Sequence, residues 1–508
     1  MRKQSRFLHL MVVGLFCMGT GLAMGQQDTT IVSTNNFREF VGTCQGSSQA
    51  PYLYDLVGWD RSDVYWSALE PRKGEWKQEE LEMWGKRILG MRARGVKFLP
   101  ILCYNTRWSW DRAERTYDYG DSRVHVKPTQ NGNYLIEKSH RAHDGNWVLD
   151  AAKEERASDH WPLAKENQAA WENYVRRTVE FLRKEPYNVE FFQIWNEAYP
   201  TSGFWDGDLD TYMTRVHIPA SKIIHELGGK VVYGGWPCCG SIQDYVSLLD
   251  RHQAWNTIDV LDVHYFPLSS FEHLYKAAKK RGYNSIGIWQ TELAFSKDPA
   301  FIGNTFPRFL SWCVAHDWSY VDRYRLFFFC ATTPDDPNSF GYDRAIVQGK
   351  ELSYHGLSMK TLNEAFACGK IELYDNVKTK PLLKSEISEG KSSMESFKVG
   401  EKKIVIVIHL VENNDARIFT DWNGNLDSIH LDADNPMLEI SLSKLKPNQV
   451  VSIERVDMAG IRQSLEMEST TSGKIKLQVP IRDQDNSPAH KWFNKSNVLT
   501  FLVEATLK

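Results

Sequence analysis

Between residues 37 and 368, extended apolar runs alternate with amphipathic helical stretches, and this alternation limits the possible folds more than any other feature of the chain. Residues 97–104 form an apolar run behind a helical stretch at 79–94, with Gly95 where a helix would stop. The run at 189–195 follows a long helical segment at 167–184. A helical pattern up to Leu227 ends at Gly228-Gly229, and 230–233 resumes as a strand. Runs at 260–266, 287–293 and 324–330 complete the series. Near-continuous apolar strands separated by helices suit a parallel sheet covered on its outer face. About eight such units in one domain predict a (β/α)8 TIM barrel. An open doubly wound sheet is the alternative, but no Gly-rich phosphate loop follows an early strand.

Beyond Cys368 the texture changes. Short strand-like runs at 404–410, 437–442, 450–456, 475–479 and 498–503 are separated by turn chemistry such as Asn423-Gly424 and Lys446-Pro447-Asn448. This predicts a C-terminal antiparallel β-sandwich at 369–508, behind a catalytic-sized barrel at 26–368. Sixteen of the 18 Trp lie before residue 368, so the second domain reads as a packing module rather than a ring-bearing sugar binder.

The first 25 residues read as an export signal. Arg2, Lys3 and Arg6 precede an apolar run at 7–18, and Ala23-Met24-Gly25 offers small residues for cleavage. A lipid-anchored Cys17 fits poorly, because Phe16 is bulky where a small residue is required. Removing three positive charges moves the formal charge from −3 to −6. A mildly acidic chain speaks against nucleic acid or an anionic membrane surface as the main partner. No later run of about 20 apolar residues predicts a membrane span. Seven cysteines follow Cys17 without metal-ligand spacing, which favours buried free thiols over a disulfide framework.

Two segments carry chemistry. Phe191-Phe192-Gln193-Ile194-Trp195-Asn196-Glu197 is an apolar strand that ends in two polar side chains. Ile286-Gly287-Ile288-Trp289-Gln290-Thr291-Glu292 repeats the design 95 residues later. At the C-terminal ends of barrel strands such residues face the active site. Two strand-end carboxylates are the pair that glycosidic cleavage needs, one protonated and one ionised.

These motifs resemble clan A of the glycoside hydrolases, the (β/α)8 superfamily that includes families 5, 39 and 42. Asn196-Glu197 matches the pair ending that clan's fourth strand, and Glu292 the nucleophile ending its seventh. The stretch Trp66-Ser-Ala-Leu-Glu-Pro-Arg-Lys-Gly74 is similar to its second-strand segment, His264-Tyr265 to its sixth-strand pair, and Ser353-Tyr354-His355-Gly356-Leu357 to the entry of its eighth helix. The resemblance implies Glu197 as acid/base, Glu292 as nucleophile, Asn196 on the sugar 2-OH, and Tyr265 donating to Glu292. Many members carry Trp at the end of strand eight; Phe327-Phe328-Phe329-Cys330 stands here, so the platform is expected from one of these Phe or from another strand, with Trp236 as the candidate substitute.

The long connection between Tyr104 and Trp161 holds many rings, and Trp108 and Trp110 stand nearest the third strand's end as candidates for stacking on sugar. Tyr104, Trp66 and His264 join them as expected substrate contacts. Around the histidines at 125, 140, 143 and 160 no acidic or cysteine ligand completes a metal site, so neither metal nor other cofactor is expected. Asp206-Gly-Asp208-Leu-Asp210 departs from a calcium loop and reads as a helix N-cap. The sequence therefore predicts an exported, metal-independent retaining β-glycosidase acting on an oligo- or polysaccharide. A barrel that binds glycan without turnover is the rival.

Overall fold

The computed structural model describes residues 37–508 except 47–50, 120, 131–132, 157–159, 201, 294–297, 317–321, 330–331, 334–343, 368, 382–390, 412–436, 470–473, 482, 485 and 490–497. Residues 1–25, read above as an export signal, Cys17, Cys330, Cys368 and Asn423-Gly424 lie outside the described residues.

Eight parallel strands close into a barrel: Val41–Cys44, Trp59–Tyr65, Lys97–Cys103, Phe191–Ile194, Lys230–Val232, Val260–His264, Gly287–Leu293 and Tyr324–Phe328. The eighth closes on the first through Val41↔Leu326, Gly42↔Phe327 and Thr43↔Phe328. Helices Gln78–Arg92, Gln168–Arg183, Ile218–Glu226, Ile242–Arg251, Leu268–Lys280, Phe301–Ala315 and Tyr354–Ala365 follow the strands from the second onward. The strands are apolar on both faces because both are buried. One face meets the helices. The other fills the barrel with Trp59, Leu99, Phe191, Val232, Val260, Trp289 and Phe327. Trp59 packs edge-on against Trp289 at 5.1 Å and against Phe191 at 5.7 Å. Gly42 is required there: a Cβ would stand 2.4 Å from the Phe327 ring.

The second strand, Trp59–Tyr65, precedes the segment matched to it by sequence; Trp66 instead opens a short helix, Trp66–Leu69. Residues 104–161 also differ from the expected irregular loop. Arg115–Tyr119, Ser122–Pro128, Asn133–Arg141 and Trp147–Arg156 form a four-stranded antiparallel meander. Its period-two pattern lies in Val124, Val126, Tyr134 and Ile136, which pack with Trp110 and Trp161. Charged residues on the opposite face hide that pattern among polar letters.

The sandwich joins the barrel through one sheet. Lys403–Val411 is apolar on both faces for this reason: Val405 and Val407 belong to the barrel's core cluster, and Ile404, Ile406 and Ile408 to the sandwich interior. Gly303, on helix Phe301–Ala315, lies so close to Met458 that a Cβ would meet its sulfur at 2.6 Å. The expected N-cap at Asp208 is present, its carboxylate accepting from the Thr211 amide at 2.5 Å. Among the described residues no helix is long and apolar enough to cross a membrane.

Trp289 is fully buried and its indole N–H donates to the Asp322 carbonyl at 2.7 Å. Trp289→Ala is expected to destabilise the fold by about 3–5 kcal/mol. Urea unfolding at an unchanged m-value is the check, and a loss below about 1 kcal/mol contradicts the interior assignment.

Candidate active site

The carboxyl ends of the strands place a charged cluster at the mouth of the barrel. Strand two contributes Arg61 and Asp63, two residues apart and so on one face. Each nitrogen of the Arg61 guanidinium has a partner. Nε donates to Gln193 Oε1 at 2.7 Å, Nη1 to Glu292 Oε1 at 2.7 Å, and Nη2 to Asn196 Oδ1 at 2.5 Å. The other oxygen of Glu292 accepts from the Tyr265 hydroxyl at 2.7 Å. Burial alone pushes the Glu292 carboxyl up, but His264, Arg61 and the Tyr265 hydrogen bond outweigh it and hold the group below the usual carboxylate range.

Glu197 is held differently. Its Oε1 lies 2.9 Å from His264 Nδ1, while His264 Nε2 lies 2.9 Å from Thr291 Oγ1. The Thr291 hydroxyl donates to Asp262 at 2.6 Å, so its oxygen accepts from Nε2–H. Nδ1 and Glu197 therefore share one proton between them. Burial pulls the imidazole down, yet the Glu292 charge and the hydrogen bond to Glu197 raise it overall. Burial lifts Asp262 to about 6, against the lowering influence of His264 and Thr291.

The backbone that aims these groups is strained. Trp195, Glu197 and Tyr265 have φ values of 67°, 45° and 61°, a region that costs non-glycine residues about 1–3 kcal/mol each. The Glu197 amide is tied to the Gly234 carbonyl at 2.6 Å, and the register between strands six and seven shifts at Val263/His264. Gly235 makes room for the imidazole, since a Cβ there would come within 2.1 Å of His264 Nε2.

One oxygen or nitrogen from each of Glu197, His264 and Glu292 lies within 4.8 Å of the others. These are donor types that bind divalent cations, but both oxygens of Glu292 and both nitrogens of His264 already have protein partners. Arg61 supplies positive charge directly beside Glu292. Beside the cluster opens a cavity of about 370 Å³ lined by Gln45, Arg61, Asp63, Tyr104, His160, Asn196, Phe204, Glu292 and Phe329, among others.

Two solved structures resemble this chain over nearly its whole length. A family 39 glycoside hydrolase from the gut symbiont Bacteroides cellulosilyticus WH2 is 11% identical, with a TM-score of 0.54, over 92% of this chain and 81% of that one. A monomeric β-xylosidase from Caulobacter crescentus CB15 is 12% identical, with a TM-score of 0.54, over 93% of this chain and 97% of that one. What the chain shares with both is the fold, a closed eight-stranded parallel barrel followed by antiparallel sheets. No protein-family model and no curated protein matches the sequence.

Within that fold, strands four and seven carry Glu197 and Glu292, and the site brings together Asn196, His264, Tyr265 and Tyr104 from the sequence assignment. Four tryptophans are corrected. Trp66 is fully buried, stacks on Tyr174 at 5.6 Å and donates to Glu70. Trp108 packs edge-on against Trp66 and donates to the Glu70 carbonyl. Trp110 is buried beneath the meander, and Trp236 is fully buried and stacked on Tyr245 at 5.0 Å. None lines the cavity, because each ring supports the loops behind it. The rings that do line it are Tyr65, Tyr104, His160, Phe204 and Phe329. Arg61 and Asp63 carry a weaker sequence signal, three charges at 60, 61 and 63 between Trp59 and Val64. Cys238 and Cys239 are exposed, unlike the buried thiols of Cys44, Cys103 and Cys313.

Arg61→Met removes the guanidinium from Glu292, whose carboxyl then rises, and is expected to cost about 3–5 kcal/mol near neutrality. The wild-type carboxyl is depressed, so its contribution is complete above the unfolded pKa and is lost as pH falls through the folded one. Urea titrations across pH are expected to show a wild-type advantage that narrows in acid; a constant gap contradicts the assignment.

Proposed function

We propose that this chain is an exported retaining glycoside hydrolase that cleaves β-glycosidic bonds of an oligo- or polysaccharide by double displacement. The observation that carries the reading is the unequal treatment of two neighbouring carboxylates. Glu292 is clamped by Arg61 and Tyr265 in its ionised form, while Glu197 shares a proton with His264. The first is suited to attack, the second to proton transfer.

In the first step Glu292 attacks the anomeric carbon, and the bond to the leaving oxygen breaks as Glu197 gives that oxygen a proton. The product is a covalent glycosyl-enzyme. In the second step Glu197, now ionised, takes a proton from water, whose oxygen attacks the anomeric carbon and releases Glu292. Two inversions give net retention. Glu197 and Glu292 each bring an oxygen within 4.8 Å of the other, which favours the close pairing of retaining enzymes. Asn196 accepts from Arg61 through Oδ1, which leaves its amide N–H groups to donate toward a sugar hydroxyl. His264 keeps Glu197 supplied with its proton, and Tyr265 fixes the aim of Glu292.

Aryl β-glucosides, β-galactosides, β-xylosides and β-mannosides, followed by proton NMR of the first sugar released, test the reading. The β-anomer is expected to appear first. Glu197→Ala is expected to lower kcat by about 10²- to 10⁴-fold on substrates with poor leaving groups. First release of the α-anomer, or a fully active Glu292→Ala, overturns the assignment.

A further inference from the structure

Among the described residues, Asp63 is the one carboxylate lining the cavity that the two-step reaction leaves without a task. It stands at the carboxyl end of strand two, two residues beyond Arg61, and is half-buried. Its Oδ2 accepts from the Tyr65 hydroxyl at 3.1 Å and its Oδ1 from the Cys103 thiol at 3.3 Å. A carboxylate offers about four acceptor positions, so each oxygen keeps one for a donor from the cavity. Two acceptors in one plane match two hydroxyls on adjacent carbons of a sugar ring.

The cations nearby are already committed. Arg61 is the one guanidinium or ammonium among the described lining residues, and its Nε, Nη1 and Nη2 donate to Gln193, Glu292 and Asn196. Asp63, Glu292 and, next to the cavity, Glu197 give the site an acidic balance. An acidic sugar entering it would lose water from its carboxylate and meet like charges with no uncommitted guanidinium or ammonium among the described lining residues, a penalty that discriminates by repulsion. A neutral sugar would meet acceptors in Asp63 and apolar surface in Tyr104 and Phe204, whose rings stack at 6.4 Å.

Resting on the proposed glycosidase reading, we infer that Asp63 is a specificity-determining residue that selects neutral sugars carrying vicinal hydroxyls and excludes uronic acids. Its side chain takes no part in bond breaking. It reads the hydroxyl pattern of the unit held in the cavity.

Matched substrates test this directly: 4-nitrophenyl β-D-glucoside against the β-D-glucuronide, and the β-D-galactoside against the β-D-galacturonide. The wild-type protein is expected to prefer the neutral member of a pair by roughly a hundredfold or more in kcat/KM, given the cost of a buried charge left unpaired. In Asp63→Asn the neutral substrate is expected to fall by about tenfold or more while the uronide does not fall, narrowing the ratio by about tenfold. A merely structural role would lower both members equally, and Tyr65→Phe, which leaves the carboxylate in place, is expected to preserve the ratio. An unchanged ratio in Asp63→Asn, or a wild-type preference for the uronide, overturns the inference. If the wild-type protein hydrolyses neither member of either pair, binding of the methyl β-glycosides and methyl β-glycuronides to it by NMR titration decides the inference. There, saturable binding of the neutral sugar alone supports it, and equal or absent binding of both overturns it. Turnover on the wider set of aryl glycosides judges the glycosidase reading separately.

Discussion

The ion pair between Arg61 and Glu292 is the constraint around which this barrel mouth is arranged. Its side chains are 3% and 12% exposed, so two charges have been taken from water and must be satisfied by protein groups. Such pairs add little net stability, but losing one partner leaves a buried charge uncompensated. The consequence is a closed set of obligations. Arg61 draws Gln193 and Asn196 into fixed positions, and Glu292 draws Tyr265. Strands two, four, six and seven are thereby tied together toward their carboxyl ends.

Unequal surroundings separate the two glutamates. Both stand beside His264, yet only Glu292 receives a guanidinium and a phenol. The imidazole is itself bound to Thr291, and Thr291 to Asp262, so its orientation is set two side chains away from the cavity. Left-handed backbone at Trp195, Glu197 and Tyr265 would be disfavoured without this network, and Gly235 supplies the space the ring occupies. Packing thus holds the strain, and the strain aims the carboxylates.

The strand–helix alternation carried most of the fold in plain view, because buried parallel strands and their covering helices impose different periods on apolar residues. Glu197 and Glu292 were visible because each ends an apolar run abruptly. Arg61 was not, since a charge within a strand resembles an interruption until its partners on strands four and seven are known. The meander at 115–156 is hidden because only its two central strands have an apolar face, and the charged residues around them resemble loop sequence. The tryptophans misled for a related reason. Trp66, Trp108, Trp110 and Trp236 lie near strand ends, yet their rings turn into the loop packing, and sequence proximity to the mouth says nothing of that direction. Lys391–Val399 was passed over because Ser392, Ser393 and Glu395 dilute its apolar pattern.

The central claim is that Glu292 becomes covalently bonded to the sugar. Incubation with a 2-deoxy-2-fluoroglycosyl fluoride, which slows the second step more than the first, followed by peptide mass spectrometry, tests it most directly. The account predicts inactivation in time with a mass increase of one fluorosugar on the peptide containing Glu292. Inactivation with the label on another residue, or steady turnover of aryl glycosides through which no label ever accumulates on Glu292, would contradict it.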